Sequence, residues 1–220
     1  MHRLFHAIVI IMLLATGQVA LAQENEHTVP EELLRTYERM HERTRSDSTF
    51  AERIVAAGRE RAIFCNTCHG PDGNSIRPNY PSLAGQNPLY LLDQIEQFAV
   101  GSREKQVMNV LAETFNAEEK ITLSLYYAQI ELEGAQADAE LAARGQPIYQ
   151  ARCASCHGEN GLGEEGYARI AGQQPVYIGN VLREYRSGNS PRRFSAMYGI
   201  AGGLRNEDID AVAHYVASLR

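Results

Sequence analysis

The apolar positions of this chain recur mostly at helical spacing. Leu33, Leu34, Tyr37 and Met40 share one face of a segment that opens on Pro30-Glu31-Glu32, a proline followed by acids in the first turn. Ile121, Leu125 and Tyr126 do the same between Glu118 and Ile130, as do Ile209, Val212, Ala213 and Val216 between Glu207 and Leu219. Two more helical patterns, Tyr90 to Phe98 and Tyr177 to Tyr185, follow Pro88 and Pro175, and proline is tolerated in a first turn. Alternation of apolar and polar residues, the mark of a half-buried strand, is scarce, so the chain is predicted to be all-α. One apolar stretch breaks the pattern. Ala7-Ile8-Val9-Ile10-Ile11-Met12-Leu13-Leu14-Ala15 is continuous, with His2 and Arg3 before it and the small-x-small site Ala20-Leu21-Ala22 after it. It predicts a secretory signal peptide over residues 1–22, and its length makes an uncleaved anchor the lesser alternative.

The pattern also repeats. Tyr80-Pro81-Ser82-Leu83-Ala84-Gly85-Gln86-Asn87-Pro88-Leu89-Tyr90 is echoed by Tyr167-Ala168-Arg169-Ile170-Ala171-Gly172-Gln173-Gln174-Pro175-Val176-Tyr177, with six of eleven positions identical. The small and polar stretch from Glu133 to Asp138 reads as a linker. The predicted organisation is a charged N-terminal extension over 23–49 with one helix, a first domain over 50–132, a linker over 133–139 and a second domain over 140–220.

All four cysteines fall in two copies of one motif, Cys65-Asn66-Thr67-Cys68-His69 and Cys153-Ala154-Ser155-Cys156-His157, 88 residues apart from Cys65 to Cys153. Cys-x-x-Cys-His is the attachment pattern of c-type haem: two thiols on one helical turn reach two vinyl groups, and the next residue brings an imidazole under the iron. A four-thiolate zinc site is the competing reading of the cysteines, but it leaves both histidines without a role. Past residue 22 the only methionines are Met40, Met108 and Met197. Met108 lies 39 residues after His69 and Met197 lies 40 after His157, in the same place in each repeat. That match assigns them as second axial ligands, since a thioether opposite histidine closes the iron and raises its potential. His27, His41 and Met40 have no such counterpart and are read as surface or packing residues.

Charge changes the picture little. Lys and Arg total 21 against 27 Asp and Glu, a formal net charge of -6. Loss of residues 1–22 removes one Arg and no acid, leaving 20 against 27, or -7. No basic patch interleaved with aromatics exists to meet nucleic acid. Export agrees with the cysteine motifs, because covalent haem attachment by the usual bacterial route takes place outside the cytoplasm.

From about Ile54 to Arg220 the chain resembles the dihaem cytochromes c4, which are two class I cytochrome c domains in tandem. The resemblance rests on both haem-attachment motifs, on Leu83-Ala84-Gly85-Gln86 and Ile170-Ala171-Gly172-Gln173, on the two placed methionines and on the paired terminal helices. It implies Cys65 and Cys68 with His69 and Met108 on one haem c, and Cys153 and Cys156 with His157 and Met197 on the other. It also implies two haems facing each other across a domain interface, and a periplasmic electron carrier serving a membrane oxidase or reductase. In such domains the carbonyl of a proline accepts a hydrogen bond from the ligand histidine. Pro81 stands there in the first half and Ala168 in the second, which predicts a less rigidly set carbonyl and two unequal potentials. Tyr127 and Tyr215 match the terminal-helix aromatic that packs on the first helix of each domain, and His214 is expected to face solvent. Two other functions stay open. One is the dihaem subunit of a larger dehydrogenase, such as a flavocytochrome sulfide dehydrogenase, with the N-terminal helix as its contact. The other is a dihaem peroxidase-like or thiosulfate-oxidising enzyme, the latter disfavoured by the absence of a fifth cysteine. No membrane span is expected after cleavage, and a peripheral membrane contact through residues 30–45 remains open.

Overall fold

A computed structural model describes residues 29–164, 166–192 and 195–220. The predicted leader over residues 1–22 and His27 lie outside them. The described residues form eleven α-helices and no strand, in agreement with the all-α expectation.

The described part of the extension holds one helix of its own, α1 (Glu31–Ser46), and Asp47 then caps α2 (Ser48–Arg61) by accepting from the Phe50 amide. Its stripe of apolar residues packs inward: Leu33 and Tyr37 are buried, with Leu34 and Met40 beside them, against Leu92, Ile121 and Leu125 of the body. His41 stacks on Tyr37 and bonds its hydroxyl, so neither His41 nor Met40 approaches a candidate iron site through these contacts.

Each half repeats one arrangement. In the first, a 3-10 turn (Ala62–Phe64) leads into the short α3 (Asn66–His69), then come α4 (Pro88–Ala99), α5 (Gln106–Glu113) and α6 (Ala117–Ala128). In the second, α7 (Ala139–Arg152) leads into α8 (Ala154–His157), followed by α9 (Pro175–Arg186), α10 (Met197–Gly202) and α11 (Asn206–Ser218). The mid and terminal helices match the periodicity within two residues at each end. Pro88 and Pro175 sit in their first turns, and Asn116 opens α6 with a capping box to Glu119. The short helices α5 and α10 were not marked by periodicity, since one or two turns carry too few apolar positions to define a face.

The first helix of each half crosses the last: α2 packs on α6, and α7 packs most extensively on α11. Both crossings run over a buried glycine. A Cβ on Gly58 would strike the Tyr126 side chain, and one on Gly145 would strike the Ala211 carbonyl. Bulk at these positions would push the helices apart. The terminal-helix tyrosines divide the work differently from expectation. Tyr215 packs on Tyr149 of α7 as predicted, with ring centroids 5.1 Å apart. In the first half it is Tyr126 that covers the glycine of α2, while the ring of Tyr127 lies over Gly73 in the loop after the motif. His214 is half buried, and its Nδ1 accepts from the Asp138 amide at 2.9 Å, tying the end of the linker to α11.

Candidate functional site

Both Cys-x-x-Cys-His motifs fold as single tight turns. The His69 amide bonds Cys65 O at 2.9 Å and the His157 amide bonds Cys153 O at 3.0 Å, so both thiols and the imidazole of each motif emerge from one turn. Gly70 and Gly158 end these turns at φ +86° and +77°, a conformation that costs an L side chain strain. No disulfide joins the two cysteines of either motif. Burial pushes the Cys153 thiol up to about 11 and moves Cys65 the same way, so neither is a reactive thiolate near neutral pH.

The histidines are fixed in matching fashion. His69 Nδ1 lies 2.8 Å from Pro81 O, and His157 Nδ1 lies 2.9 Å from Ala168 O. A carbonyl can only accept, so each proton sits on Nδ1 and each Nε2 keeps its lone pair for a metal. Burial lowers the pKa of both imidazoles and favours this neutral form. The expected loosening at Ala168 is absent from the geometry, because the hydrogen bond is as short without the proline. Met108 stands on α5 and Met197 opens α10, each half buried, and these helices pack against α4 and α9 of their own halves.

The two halves meet along the repeated Leu/Ile-Ala-Gly-Gln stretches. Ser82 N–H donates to Gln173 Oε1 at 2.7 Å, and Gln173 Nε2 donates back to Ser82 O at 3.0 Å. The equivalent Arg169 N–H donates to Gln86 Oε1 at 2.6 Å, and Gln86 Nε2 donates to Arg169 O at 2.7 Å. Farther along, an isolated antiparallel bridge joins Arg103 to Arg192, the first residues of note after each mid helix. Both arginines are buried. Arg103 Nη1 bonds Gln94 Oε1 at 2.6 Å, and Arg192 bonds the same oxygen at 3.3 Å and the Tyr177 hydroxyl at 3.0 Å. Arg103 Nε is buried with no partner. These acceptors are neutral. Burial, then repulsion from Arg192, lowers the Arg103 pKa; at Tyr177 burial acts upward, but the two guanidinium groups outweigh it and hold the phenol below its ordinary value.

Two buried guanidinium groups carry a desolvation penalty of about several kcal/mol each; the phenols around Arg192 offset it there in part and raise its pKa, and an anion beside the pair would offset the rest. The carboxylates on the edge of a haem supply such anions. Apolar surface beside the ligand positions fits the rest of the macrocycle: Phe64 precedes Cys65, Val107 and Val110 flank Met108, and all three are more than half exposed. Thiols on one turn and a free Nε2 in each half, apolar flanks in the first, and a buried arginine pair shared where the halves meet therefore suit haem. The arginine pair was missed in the sequence, although the same reasoning that matched the methionines would have found it, since an arginine closes the mid-helix loop of each repeat.

Comparison with known proteins agrees with this geometry. Residues 142–220 match the cytochrome c family. Cytochrome c4 of Pseudomonas aeruginosa is 32% identical over 177 residues, which cover 75% of this chain and 88% of that protein. The chain belongs to the cytochrome c4 family. A crystal structure of reduced cytochrome c4 from Pseudomonas stutzeri superposes with TM-score 0.70 at 30% identity, covering 76% of this chain and 98% of that one. A thiosulfate dehydrogenase electron acceptor of Thiomonas intermedia is 30% identical over 74% of this chain and 82% of its own length. As a cytochrome c4 the protein is a c-type electron carrier rather than an enzyme, built of two tandem class I cytochrome c domains with two covalently bound haem c groups. No helix among the described residues is long and apolar enough to cross a membrane.

Proposed function

We propose that Cys65 and Cys68 bind one haem with His69 and Met108 as its axial pair, and that Cys153 and Cys156 bind the other with His157 and Met197. The two domains that hold them span residues 50–132 and 140–220. The observation that carries this reading is the duplicated turn, in which an imidazole, buried at His69 and half-buried at His157, donates from Nδ1 to a backbone carbonyl and keeps Nε2 free. The haem iron supplies one-electron chemistry, cycling between ferric and ferrous states. The chain contributes the rest. The hydrogen-bonded imidazoles fix ligand direction and basicity, the methionines exclude other ligands, and Arg103 and Arg192 balance the carboxylate edge. Ligands preset by these bonds limit reorganisation as the charge changes.

In this reading residues 1–22 direct the chain to the periplasm, where it passes single electrons between respiratory partners through weak, transient docking. A second reading has a specific observation behind it: similarity to relatives named thiosulfate dehydrogenase electron acceptors makes a sulfur-compound dehydrogenase a candidate donor.

A carbon monoxide difference spectrum of the reduced, haem-loaded protein tests the ligand assignment. Both irons closed by His and Met take up no gas, while ready binding at one haem refutes a methionine assignment. Met108→Ala or Met197→Ala should keep two covalent haems, open one iron to the gas and lower one potential; two unchanged potentials would overturn the assignment.

A further inference from the structure

The carbonyl that fixes each ligand histidine belongs to a peptide group whose amide reaches into the other domain. The Pro81–Ser82 peptide accepts from His69 Nδ1 at its oxygen and donates at its nitrogen to Gln173 Oε1 at 2.7 Å. The Ala168–Arg169 peptide accepts from His157 Nδ1 and donates to Gln86 Oε1 at 2.6 Å. Each glutamine is itself locked. Its Oε1 also accepts from the next amide in its own chain, Asn87 N–H or Gln174 N–H, both at 3.0 Å, and its Nε2 holds the carbonyl one residue past the ligand carbonyl. Gln86 and Gln173 are both buried, so water does not replace these bonds.

We propose that Gln86 and Gln173 are crossed positioning residues: Gln173 of the second domain tunes the haem held by His69, and Gln86 of the first tunes the haem held by His157. This rests on the assignment of those histidines as axial ligands. The physics is hydrogen-bond polarisation. An amide that donates at nitrogen becomes a stronger acceptor at oxygen. A stronger acceptor draws the Nδ1 proton, enriches the imidazole and favours the ferric state. Removing the glutamine acceptor therefore weakens the histidine bond and raises the potential of the opposite haem. Because the two bonds are mirror copies, each domain's ligand field depends on the docking of its partner. This also explains why a proline is dispensable at position 168, since the cross-domain bond orients the carbonyl there.

The test is a pair of potentiometric titrations on the two-haem protein carrying Gln173→Leu or Gln86→Leu. Each potential is assigned to its haem by the ferric haem-methyl proton resonances in partly reduced samples. Gln173→Leu should shift the ferrous-to-ferric ratio at the His69 haem by about threefold toward ferrous, about 30 mV at 59 mV per decade. It should leave the His157 haem close to its original value, and Gln86→Leu should give the reverse. A shift confined to the variant's own domain, equal shifts in both haems or no shift in either overturns the proposal. Gln174→Ala is the control for loosened docking, because it removes another cross-domain bond, Gln174 Nε2 to Ser75 O, without touching a ligand peptide. It should move neither potential. Where leucine prevents docking, Gln173→Asn keeps the amide but shortens its reach, and the same crossed shift is expected. Haem content and the ferric thioether-to-iron absorption are read in every variant. Their absence from the unaltered protein refutes the ligand assignment, whereas intact ligation with uncrossed potentials refutes the glutamine role alone.

Discussion

The two halves of this protein solve one problem with different surfaces. In the first, α4 and α6 present Leu92, Ile121 and Leu125, and α1 lies on them. In the second, Gly179 stands at the position of Leu92 and Ala213 at that of Leu125, and nothing corresponding to α1 precedes α7. The charges that tie mid helix to terminal helix are exchanged as well. Lys120 of α6 pairs with Glu96 of α4 at 2.7 Å with side chains only 12% and 9% exposed, whereas Arg183 of α9 pairs with Asp210 of α11 with 36% and 49% exposed. Base and acid have changed helices. What survives in both halves is the motif turn, the histidine-carbonyl bond and the glycine crossing. The cofactor machinery thus sets the repeat, and the outer faces follow whatever covers them.

The largest effect should come from deleting a cofactor. Cys65→Ala with Cys68→Ala leaves one covalent haem by mass and unfolds the helices of that half, because a domain of this size relies on the cofactor for its core. The same change at Cys153 and Cys156 should cost more helicity, since the first half retains the packing of α1. Equal losses by circular dichroism would break the comparison. Next comes the buried ion pair: Glu96→Ala leaves Lys120 uncompensated and should cost about 3–5 kcal/mol in denaturant unfolding. Asp210→Ala, at the solvated pair, should cost about 1 kcal/mol or less. Leu92→Ala removes a side chain wedged under α1 and should cost about 2–5 kcal/mol. Limited proteolysis should then cleave α1 sooner. The smallest effect is expected of Ala168→Pro. Since the Ala168 carbonyl already meets His157 at 2.9 Å, against 2.8 Å for Pro81 and His69, the second potential should barely move. A large shift there would make the proline a determinant of the potential after all.

Much of the site was legible in the chain. The haem motifs are local: the shape of one helical turn forces two thiols and a histidine into that order, so five consecutive residues carry the chemistry. Met108 and Met197 were singled out because a repeat supplies its own control, and their place as ligands is part of the proposed function. The helix faces of α1, α6 and α11 followed from periodicity, while α5 and α10 are too short to show one. Arg103, Arg192, Gln94 and the phenols around them were not assigned. Buried polar residues have no periodic signature, and their meaning depends on which loop from the other half arrives beside them.

The sequence by itself determined the helical class, the duplicated cofactor motif, the matched methionines and the apolar stripe of α1, because each depends on residues close along the chain. Only the tertiary structure decided that the carbonyl at Ala168 is as well placed as the one at Pro81, that His214 holds the linker, that two arginines share one buried site and that each ligand peptide is gripped from the opposite domain. Those contacts join residues far apart in sequence, such as Gln86 with Arg169 and Ser82 with Gln173. A hydrogen bond has direction and a range of about 3 Å, so such pairings exist only once packing has brought the two backbones together.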